Sequence, residues 1–215
     1  MSPELAAKLS AAVYEEWPSA EATVTVRLGL EFVRSWDHGG TQAMLVRSAD
    51  WAAVVFRGTE ASRVRLLDIW SNLGWPLPWA GPGLAHSGYA SHFLRIRPSD
   101  LHASAAALDL PVYAAGHSMG GALAALFAAY NPGLLAGAAL FGAPKCLDRV
   151  AGASITCSVQ SYYNRHDFAR WWPPAPSLRP VGQVIAIDSG GWPGPVSRHG
   201  VGRYVEALES LPKPA

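Results

Sequence analysis

The sequence predicts an α/β fold in which a mostly parallel central sheet carries helices on both faces. In the second half of the chain, short apolar runs typical of strands alternate with helical segments, and one such strand joins its helix through a tight Gly-rich turn. Strands that alternate with helices favour parallel pairing, because each helix crosses over the sheet before the next strand begins. The 215 residues, 50 % of them apolar, are expected to form a single domain over 1–215.

The N-terminal segment is predicted to be an amphipathic helix within residues 1–17. Apolar residues recur there at helical spacing, with Ser2 as the cap and Pro3 in the first turn. Acidic residues and the lack of a long apolar run argue against a signal peptide, and no segment approaches the roughly 18 apolar residues of a membrane span. We therefore expect the chain as given to be cytoplasmic, and secreted only if a signal has been removed.

The first half of the chain is predicted to begin with strands. Alternating residues rich in Val and Thr indicate one or two strands over 21–34, and a Gly-Gly turn then leads into a hairpin formed by 41–47 and 51–57. We expect these leading strands to join the sheet as antiparallel additions. A helix is predicted over 60–72, followed by a long loop rich in Pro, Gly and Trp over 73–83.

The second half is predicted to alternate strongly between strands and helices. A helix over 87–108, bent near Pro98, leads into a strand over 111–115 and a helix over 122–130. Three further strands and a last helix follow, at 134–141, 154–163, 181–188 and 199–211.

The turn between the strand at 111–115 and its helix carries the strongest chemical signal. Ser118 stands at the centre of a Gly-x-Ser-x-Gly pattern, between Gly116 and Gly120. The two glycines let strand and helix approach closely and leave the hydroxyl exposed on a strained turn. The amides that open the helix point to the same place, where they would stabilise an oxyanion. The pattern predicts that Ser118 is a nucleophile; the alternative is a Gly-rich turn that contains a serine by chance.

A serine hydroxyl needs a base to accept its proton, and that base needs an orienting acid. His199 lies between the last strand and the last helix, where it suits the base, whereas His166 is adjacent to the favoured acid and is the poorer choice. Asp167 follows a predicted strand and is the favoured acid, because the acid is expected between serine and histidine in chain order. The alternatives, in order of preference, are Asp188 and Asp148.

An oxyanion hole needs two donors. One is expected to be the backbone amide of Met119, the residue after the nucleophile. The other is expected from the loop after the strand at 51–57, where Thr59 is the natural candidate and its hydroxyl could add a further donor. The alternative for this second segment is a plain strand end with a Gly turn.

Four blocks of the sequence, taken together and in order, resemble the class 3 lipase family, the fungal-lipase-like branch of the α/β-hydrolases. The blocks are 55–59, 86–89, 116–124 and 141–144. A later Asn-x-x-Asp segment with a proline-rich stretch, and a histidine followed by Tyr204, extend the resemblance over about residues 45–205.

This resemblance implies an α/β-hydrolase fold and a role for each candidate residue. Ser118 would be the nucleophile, Asp167 the acid and His199 the base, while Thr59 and Met119 would form the oxyanion hole. Two histidines in the matched blocks are implied to be structural: His86 and His117. The signal peptide and disulfide framework of the secreted fungal members are missing from this sequence.

Residues 60–85 lie where members of that family carry a helical lid over the active site. A helix with one apolar and one polar face can close over an acyl-binding groove or open onto a lipid surface. The alternative is a helix whose apolar side is ordinary core. Two tryptophans after the candidate acid are expected to border the same pocket. The candidate substrate-contacting residues are Trp70, Leu73, Trp75, Leu77, Trp79, Trp171 and Trp172.

The sequence thus predicts a serine carboxylic-ester hydrolase that cleaves acylglycerols or related lipid esters through an acyl-enzyme, without a metal or an organic cofactor. The expected partners are the ester or lipid substrate and, transiently through the lid, a lipid interface. The alternatives are a phospholipase A1 or feruloyl-type esterase on the same scaffold, an acyltransferase, and a catalytically silent hydrolase fold used for binding. Arg165 and Arg170 are compatible with a phospholipid head group.

Charge and cysteine content exclude other classes of protein. The formal net charge is +1 and no Lys or Arg cluster is present, which argues against a nucleic-acid partner. Cys146 and Cys157 fit no metal-binding spacing. A bridge between them is compatible with the sequence, but two small buried apolar residues are the favoured interpretation.

Overall fold

The computed structural model describes residues 1–58, 75–190, 194 and 197–211. The predicted helix over 60–72 lies outside these residues, as do the candidates Thr59, Trp70 and Leu73. Within the part of the chain that is described, no helix has the length and apolar character needed to cross a bilayer.

The helices and strands lie along the chain in the following order. The first are α1 (Pro3–Ala12), α2 (Trp17–Ala22), a π-helical turn (Thr23–Arg27), β1 (Glu31–His38), β2 (Thr41–Arg47) and β3 (Ala52–Phe56). Next come β4 (Pro76–Pro78), β5 (Leu84–His86), α3 (Ser87–Arg95), α4 (Pro98–Ala106), β6 (Val112–His117) and α5 (Met119–Tyr130). The last are β7 (Leu135–Phe141), α6 (Arg149–Ala153), β8 (Ser158–Asn164), β9 (Gln183–Ile187) and α7 (Val201–Glu209), with 3₁₀ turns at Phe168–Trp171 and Ser197–His199.

Seven strands form the central sheet in the order β1-β2-β3-β6-β7-β8-β9. Strands β1, β2 and β3 pair antiparallel, whereas the pairs from β3 to β9 are parallel, so the predicted mostly parallel sheet with leading antiparallel strands is confirmed. Phe56 of β3 lies opposite Gly116 of β6. At the far end, Asn164 of β8 lies opposite Ile187 of β9. The carboxyl ends of the parallel strands therefore meet at one edge, where the loops after β6, β8 and β9 gather.

The two faces of this sheet are covered by different helices. On one face, α3 and α5 pack on the strands around a core that contains Phe56, Phe93 and Phe127. On the other face lie α1 and α7, with Phe141 and Tyr204 among the buried side chains. Because both faces are covered, the central strands are apolar on both sides, as is typical of parallel sheets.

Residues 21–27, which we predicted as strand, are helical instead. Helix α2 continues directly into the π-helical turn, where the Thr25 hydroxyl donates to the Glu21 carbonyl at 2.8 Å. Val24 is buried under the sheet, whereas Val26 is 81 % exposed. The alternating residues therefore do not line one face of a strand, and a pattern this short cannot distinguish strand from helix by its period alone.

The predicted helix over 87–108 is divided into α3 and α4. Arg97 adopts a left-handed conformation with φ of 57° directly before Pro98. A residue before proline is disfavoured in the right-handed helical region, because the proline ring collides with its backbone. The expected bend is therefore a complete break, after which Pro98 starts a new helix.

The last helix begins at Val201, two residues later than predicted, and His199 lies in the preceding 3₁₀ turn. The predicted loop over 73–83 contains β4, which pairs antiparallel with β5. The first difference falls at a helix end, where local sequence patterns are least decisive, whereas β4 is a short strand that the prolines and glycines of the predicted loop did not indicate.

The two cysteines carry free thiols. Cys146 is buried, and its thiol donates to the Ala122 carbonyl at 3.7 Å. Burial raises the pKa of this thiol to about 12, so it stays protonated and behaves as a small apolar residue.

Candidate active site

Ser118 occupies a sharp turn between β6 and α5. Its φ is +57° and its ψ is −127°, a conformation that a side-chain-bearing residue adopts only under constraint from its surroundings. A Cβ on Gly116 would collide with the Gly120 backbone, and a Cβ on Gly120 would collide with the Phe56 carbonyl. Both glycines are therefore required for strand, helix and the end of β3 to meet at the serine.

The Ser118 hydroxyl lies within hydrogen-bond distance of His199. The Oγ and Nε2 atoms are 2.8 Å apart, and both residues are buried. His199 reaches this position from the 3₁₀ turn after β9, over the edge where the parallel strands end. The serine and the histidine that the sequence predicted thus face one another directly.

The other nitrogen of the His199 ring faces Asp167. Nδ1 lies 2.8 Å from Oδ2 and 3.0 Å from Oδ1 of this buried carboxylate. The same carboxylate accepts from the Ala169 amide at 2.8 Å and from the Tyr204 hydroxyl. Burial and the nearby carboxylate raise the pKa of Tyr204 well above its usual value, so its hydroxyl remains a donor.

These contacts determine where the protons lie. Both Asp167 oxygens accept hydrogen bonds, from the Ala169 amide and the Tyr204 hydroxyl, so Nδ1 of His199 meets acceptors and carries its proton toward Asp167. In the neutral ring, Nε2 is then left as the acceptor for the Ser118 hydroxyl. The geometry therefore presents the serine proton to the one nitrogen that can take it.

The two alternative acids, Asp188 and Asp148, form hydrogen bonds with groups other than His199. Asp188 accepts from the Gly190 amide at 3.0 Å and from the Arg198 guanidinium at 2.8 Å, and these donors lower the pKa of its carboxyl. Asp148 caps helix α6 by accepting from the Ala151 amide at 2.8 Å. The structure therefore brings Asp167, and neither alternative, to the ring of His199.

The loop that carries His199 is held from two sides. The Asn164 side chain donates to the Arg198 carbonyl at 3.2 Å, and its amide oxygen accepts from the Ser189 amide at 3.1 Å. The Arg198 guanidinium, which is almost entirely buried, pairs with Asp188. Asn164 was noticed in the sequence only as part of a family-like segment, because its partners are distant in the chain.

Gly142 is a site residue for which the sequence predicted no role of its own. Its φ is +54°, and a Cβ there would stand 2.8 Å from the Tyr204 hydroxyl, 3.0 Å from Asp167 Oδ2 and 3.1 Å from His199 Nδ1. Any side chain would therefore both strain the backbone and push into the contact between carboxylate and imidazole. The one available signal was its place at the end of a predicted strand in a matched block.

One of the two predicted oxyanion donors is described by the structure. Met119 is the first residue of α5, directly after Ser118, and the Gly121 and Ala122 amides in the first turn of that helix donate to the Ser118 carbonyl. Thr59 lies outside the described residues. The preceding Gly58 packs so closely against His117 that a Cβ would collide with its carbonyl oxygen.

The apolar candidates of the predicted lid region differ in their placement. Trp75 is 71 % exposed and Leu77 is 50 % exposed. Trp79 instead packs its ring on Phe93 and Tyr130, with centroids 5.9 Å and 6.4 Å away, at the border of the core. Trp70 and Leu73 lie outside the described residues. Trp79 is therefore in part a packing residue, which its loop context did not indicate.

One of the two tryptophans that follow the candidate acid lines an open pocket of about 700 Å³. Trp171 lines this pocket and is 70 % exposed, with the Arg170 guanidinium 5.1 Å from its ring. Trp172 is half-buried, and its carbonyl accepts from the Lys145 amide at 2.7 Å. The pocket borders the site through Phe168, whose ring centroid lies 5.0 Å from that of His199.

Comparison with known proteins agrees with this architecture. The model of the class 3 lipase family matches residues 53–174. A Rhizomucor miehei triacylglyceride lipase superposes with a TM-score of 0.69 at 20 % identity, covering 86 % of this chain and 78 % of that chain. A lipase from Rhizopus microsporus var. chinensis gives 0.67 at 17 % identity, covering 86 % and 72 %. A triacylglycerol lipase whose catalytic centre is described as a serine protease triad gives 0.68 at 19 % identity, covering 88 % and 79 %. No curated protein sequence matches the chain.

A mostly parallel sheet with helices on both faces and a strained strand-to-helix serine turn at its carboxyl edge defines the α/β-hydrolase fold. Within that fold, the chain belongs to the class 3 lipase family. The protein is accordingly a serine ester hydrolase.

Proposed function

We propose that the chain hydrolyses acylglycerols or closely related lipid esters, with Ser118 as nucleophile, His199 as base and Asp167 as orienting acid. One observation carries the proposal: Ser118 Oγ lies 2.8 Å from His199 Nε2 while Nδ1 of the same ring lies 2.8 Å from Asp167. This is the hydrogen-bond reach that a nucleophile, its base and an orienting acid require.

The reaction follows from the proton positions. Ser118 Oγ attacks the ester carbonyl carbon while its proton moves to Nε2 of His199. The carbonyl oxygen becomes an oxyanion, which the Met119 amide and a donor from Thr59 stabilise. The intermediate then collapses, the bond to the alkoxy oxygen breaks, and His199 returns its proton to the departing alcohol. Water, deprotonated by His199, attacks the acyl-serine and releases the carboxylic acid with Ser118 restored.

Asp167 and Tyr204 would act on the imidazolium that forms in each step. The buried carboxylate holds Nδ1–H and offsets the positive charge, while the Tyr204 hydroxyl and the Ala169 amide hold the carboxylate. A carboxylate fixed by three donors needs little reorganisation as the charge develops, which is the source of electrostatic catalysis.

Exposed apolar side chains support a lipid ester as the substrate. Trp75 and Leu77 are both largely open to solvent, and Leu77 also borders a groove of about 510 Å³ with Leu94, which is 46 % exposed. Apolar surface of this kind suits an acyl chain or a lipid interface better than a small polar ester. Several similar structures are named as triacylglycerol lipases, which favours acylglycerols among the lipid esters.

A series of p-nitrophenyl esters with short to long acyl chains tests the substrate class. We expect turnover to rise with chain length and to disappear after treatment with a fluorophosphonate that blocks the nucleophilic serine. The same series on heat-unfolded protein is the control for uncatalysed hydrolysis. A maximum at acetate or butyrate would contradict the lipid-ester proposal, and preferred cleavage of methyl ferulate would favour a feruloyl-type esterase.

A phospholipid is the second candidate substrate, and the pocket of about 700 Å³ favours it. Arg165 and Arg170 both line this pocket, and in the described part of the chain neither guanidinium lies within ion-pair distance of a carboxylate. Asp188, on the same wall, already pairs with Arg198. Guanidinium groups that have no ion-pair partner among the described residues and lie beside the site suit the phosphate of a head group.

The two arginines can be tested by comparing a phospholipid with a neutral diacylglycerol in mixed micelles. If the pocket holds a phosphate, the double variant Arg165→Gln/Arg170→Gln should lose about tenfold in kcat/KM on the phospholipid, as expected for lost charged hydrogen bonds. Activity on diacylglycerol should stay unchanged. Arg149→Gln, on helix α6, controls for the loss of a surface charge. Equal losses on both substrates would contradict a phosphate site.

A further inference from the structure

His117 precedes the nucleophile and makes two hydrogen bonds that the reaction itself does not use. Its Nε2 lies 2.5 Å from the His199 carbonyl oxygen, and its Nδ1 lies 2.9 Å from the Tyr14 hydroxyl. The ring is buried, with its centroid 4.8 Å from that of His199. A residue adjacent to the nucleophile in sequence therefore contacts the backbone of the candidate base.

The His199 carbonyl determines which atom donates in each of the two hydrogen bonds of His117. A carbonyl oxygen only accepts, so Nε2 of His117 carries the proton and donates to His199. In the neutral ring Nδ1 then accepts, and the Tyr14 hydroxyl must be its donor. Burial and the neighbouring His199 lower the pKa of His117 to about 3, so the ring stays neutral when His199 takes up a proton.

Tyr14 brings the N-terminal segment into this arrangement. It follows α1, which packs against α7 and is joined to it by an ion pair between Lys8 and Glu209 at 2.8 Å. The Tyr14 hydroxyl sits so close to Gly58 that a Cβ there would collide with it. Tyr14 lies outside the 53–174 region that matches the family model, so the match itself assigns this residue no role.

We propose that Tyr14 and His117 are positioning residues that hold the backbone of His199, and through it the imidazole, in line with Ser118. The inference rests on the proposed role of His199 as base. Asp167 fixes the far nitrogen of the ring, whereas His117 fixes the carbonyl attached to the same Cα, so side chain and backbone are held independently. Without the hydrogen bond from His117 to the His199 carbonyl, the imidazole could keep its bond to Asp167 and still move Nε2 away from the serine. A displacement of about 1 Å can lower the rate up to hundredfold.

Three variants test this role: His117→Leu, His117→Gln and Tyr14→Phe. Glutamine carries an amide N–H as many bonds from its Cβ as Nε2 is in histidine, so it can still donate to the His199 carbonyl, whereas leucine cannot. His102→Leu and Tyr113→Phe are matched controls, since His102 contacts Asn131 and Tyr113 packs on Trp51, away from His199. Each variant is assayed for kcat and KM per active site titrated with fluorophosphonate, and for its melting temperature.

We expect His117→Leu to lower kcat at least tenfold with KM nearly unchanged, and His117→Gln to recover most of that loss. Tyr14→Phe should lower kcat by a smaller factor, and the change should have no further effect in the His117→Leu background. A lowered melting temperature with unchanged kcat per titrated site would overturn the positioning role, as would a His117→Gln variant no better than His117→Leu. Ser118→Ala in the same assay separates the two proposals, because retained turnover there would contradict the proposed function itself.

Discussion

Replacing Ser118 with alanine is expected to lower ester turnover by about 10⁶-fold, the loss typical of a removed serine nucleophile. The hydroxyl is the only group that this substitution deletes, and it lies within hydrogen-bond distance of His199 Nε2. The strained backbone at φ +57° is no harder for alanine than for serine, so the variant should fold. Turnover, a burst of p-nitrophenol and mass spectrometry of the fluorophosphonate adduct would measure the change.

Ser161→Ala is the matched control for Ser118→Ala. Ser161 is fully buried in β8, and its hydroxyl donates to the Val181 carbonyl at 2.5 Å. Its loss should cost about 1–3 kcal/mol of stability, because the carbonyl is left without this partner, yet leave kcat per folded molecule unchanged. Residual adduct formation in Ser118→Ala would mean that another residue is the nucleophile.

Asp167→Asn is expected to lower kcat by about 10⁴-fold, the cost of placing the base in the wrong tautomer. The asparagine amide would donate toward Nδ1 of His199, which pushes the proton to Nε2 and removes the acceptor for the serine. It would also meet the Tyr204 hydroxyl and the Ala169 amide, both of which donate to the carboxylate in the native site. The pH dependence of kcat/KM, together with the rate of fluorophosphonate labelling, would report the loss of the base.

Asp188→Asn distinguishes between the two candidate acids. Asp188 is about half exposed and pairs with Arg198, so its change should loosen the loop before His199 but lower kcat by less than about tenfold. If Asp188→Asn were the more damaging of the two substitutions, Asp167 would not be the orienting acid. Equal and small effects would contradict a carboxylate-oriented base altogether.

Local sequence patterns predicted those elements whose structure depends on near neighbours. The Gly-x-Ser-x-Gly turn requires small residues within a few positions of Ser118, and a continuous apolar strand before it signals a parallel sheet covered on both faces. The same reasoning failed over residues 21–27, where a short run of β-branched residues forms a helical turn. It also missed the left-handed Arg97, which turns one predicted helix into two.

The sequence by itself determined the class of fold and the types of residue available for the chemistry. It indicated a serine, an aspartate and a histidine in that order along the chain. Hydrophobic period and turn composition are local properties, so they can be determined from neighbouring residues alone. Which aspartate meets the histidine was open, since Asp167 and Asp188 both follow strands and both precede His199 in the sequence.

Only the tertiary structure decided that question and added the residues around it. Gly142, Tyr204 and Tyr14 reach the site from the turn after β7, from α7 and from the segment after α1, and their partners are far away in sequence. Such contacts depend on how the sheet aligns its carboxyl ends and which helices cover it. Close packing of the sheet and its helices then brings these residues within about 3 Å of their partners. No pattern along the chain specifies such distances.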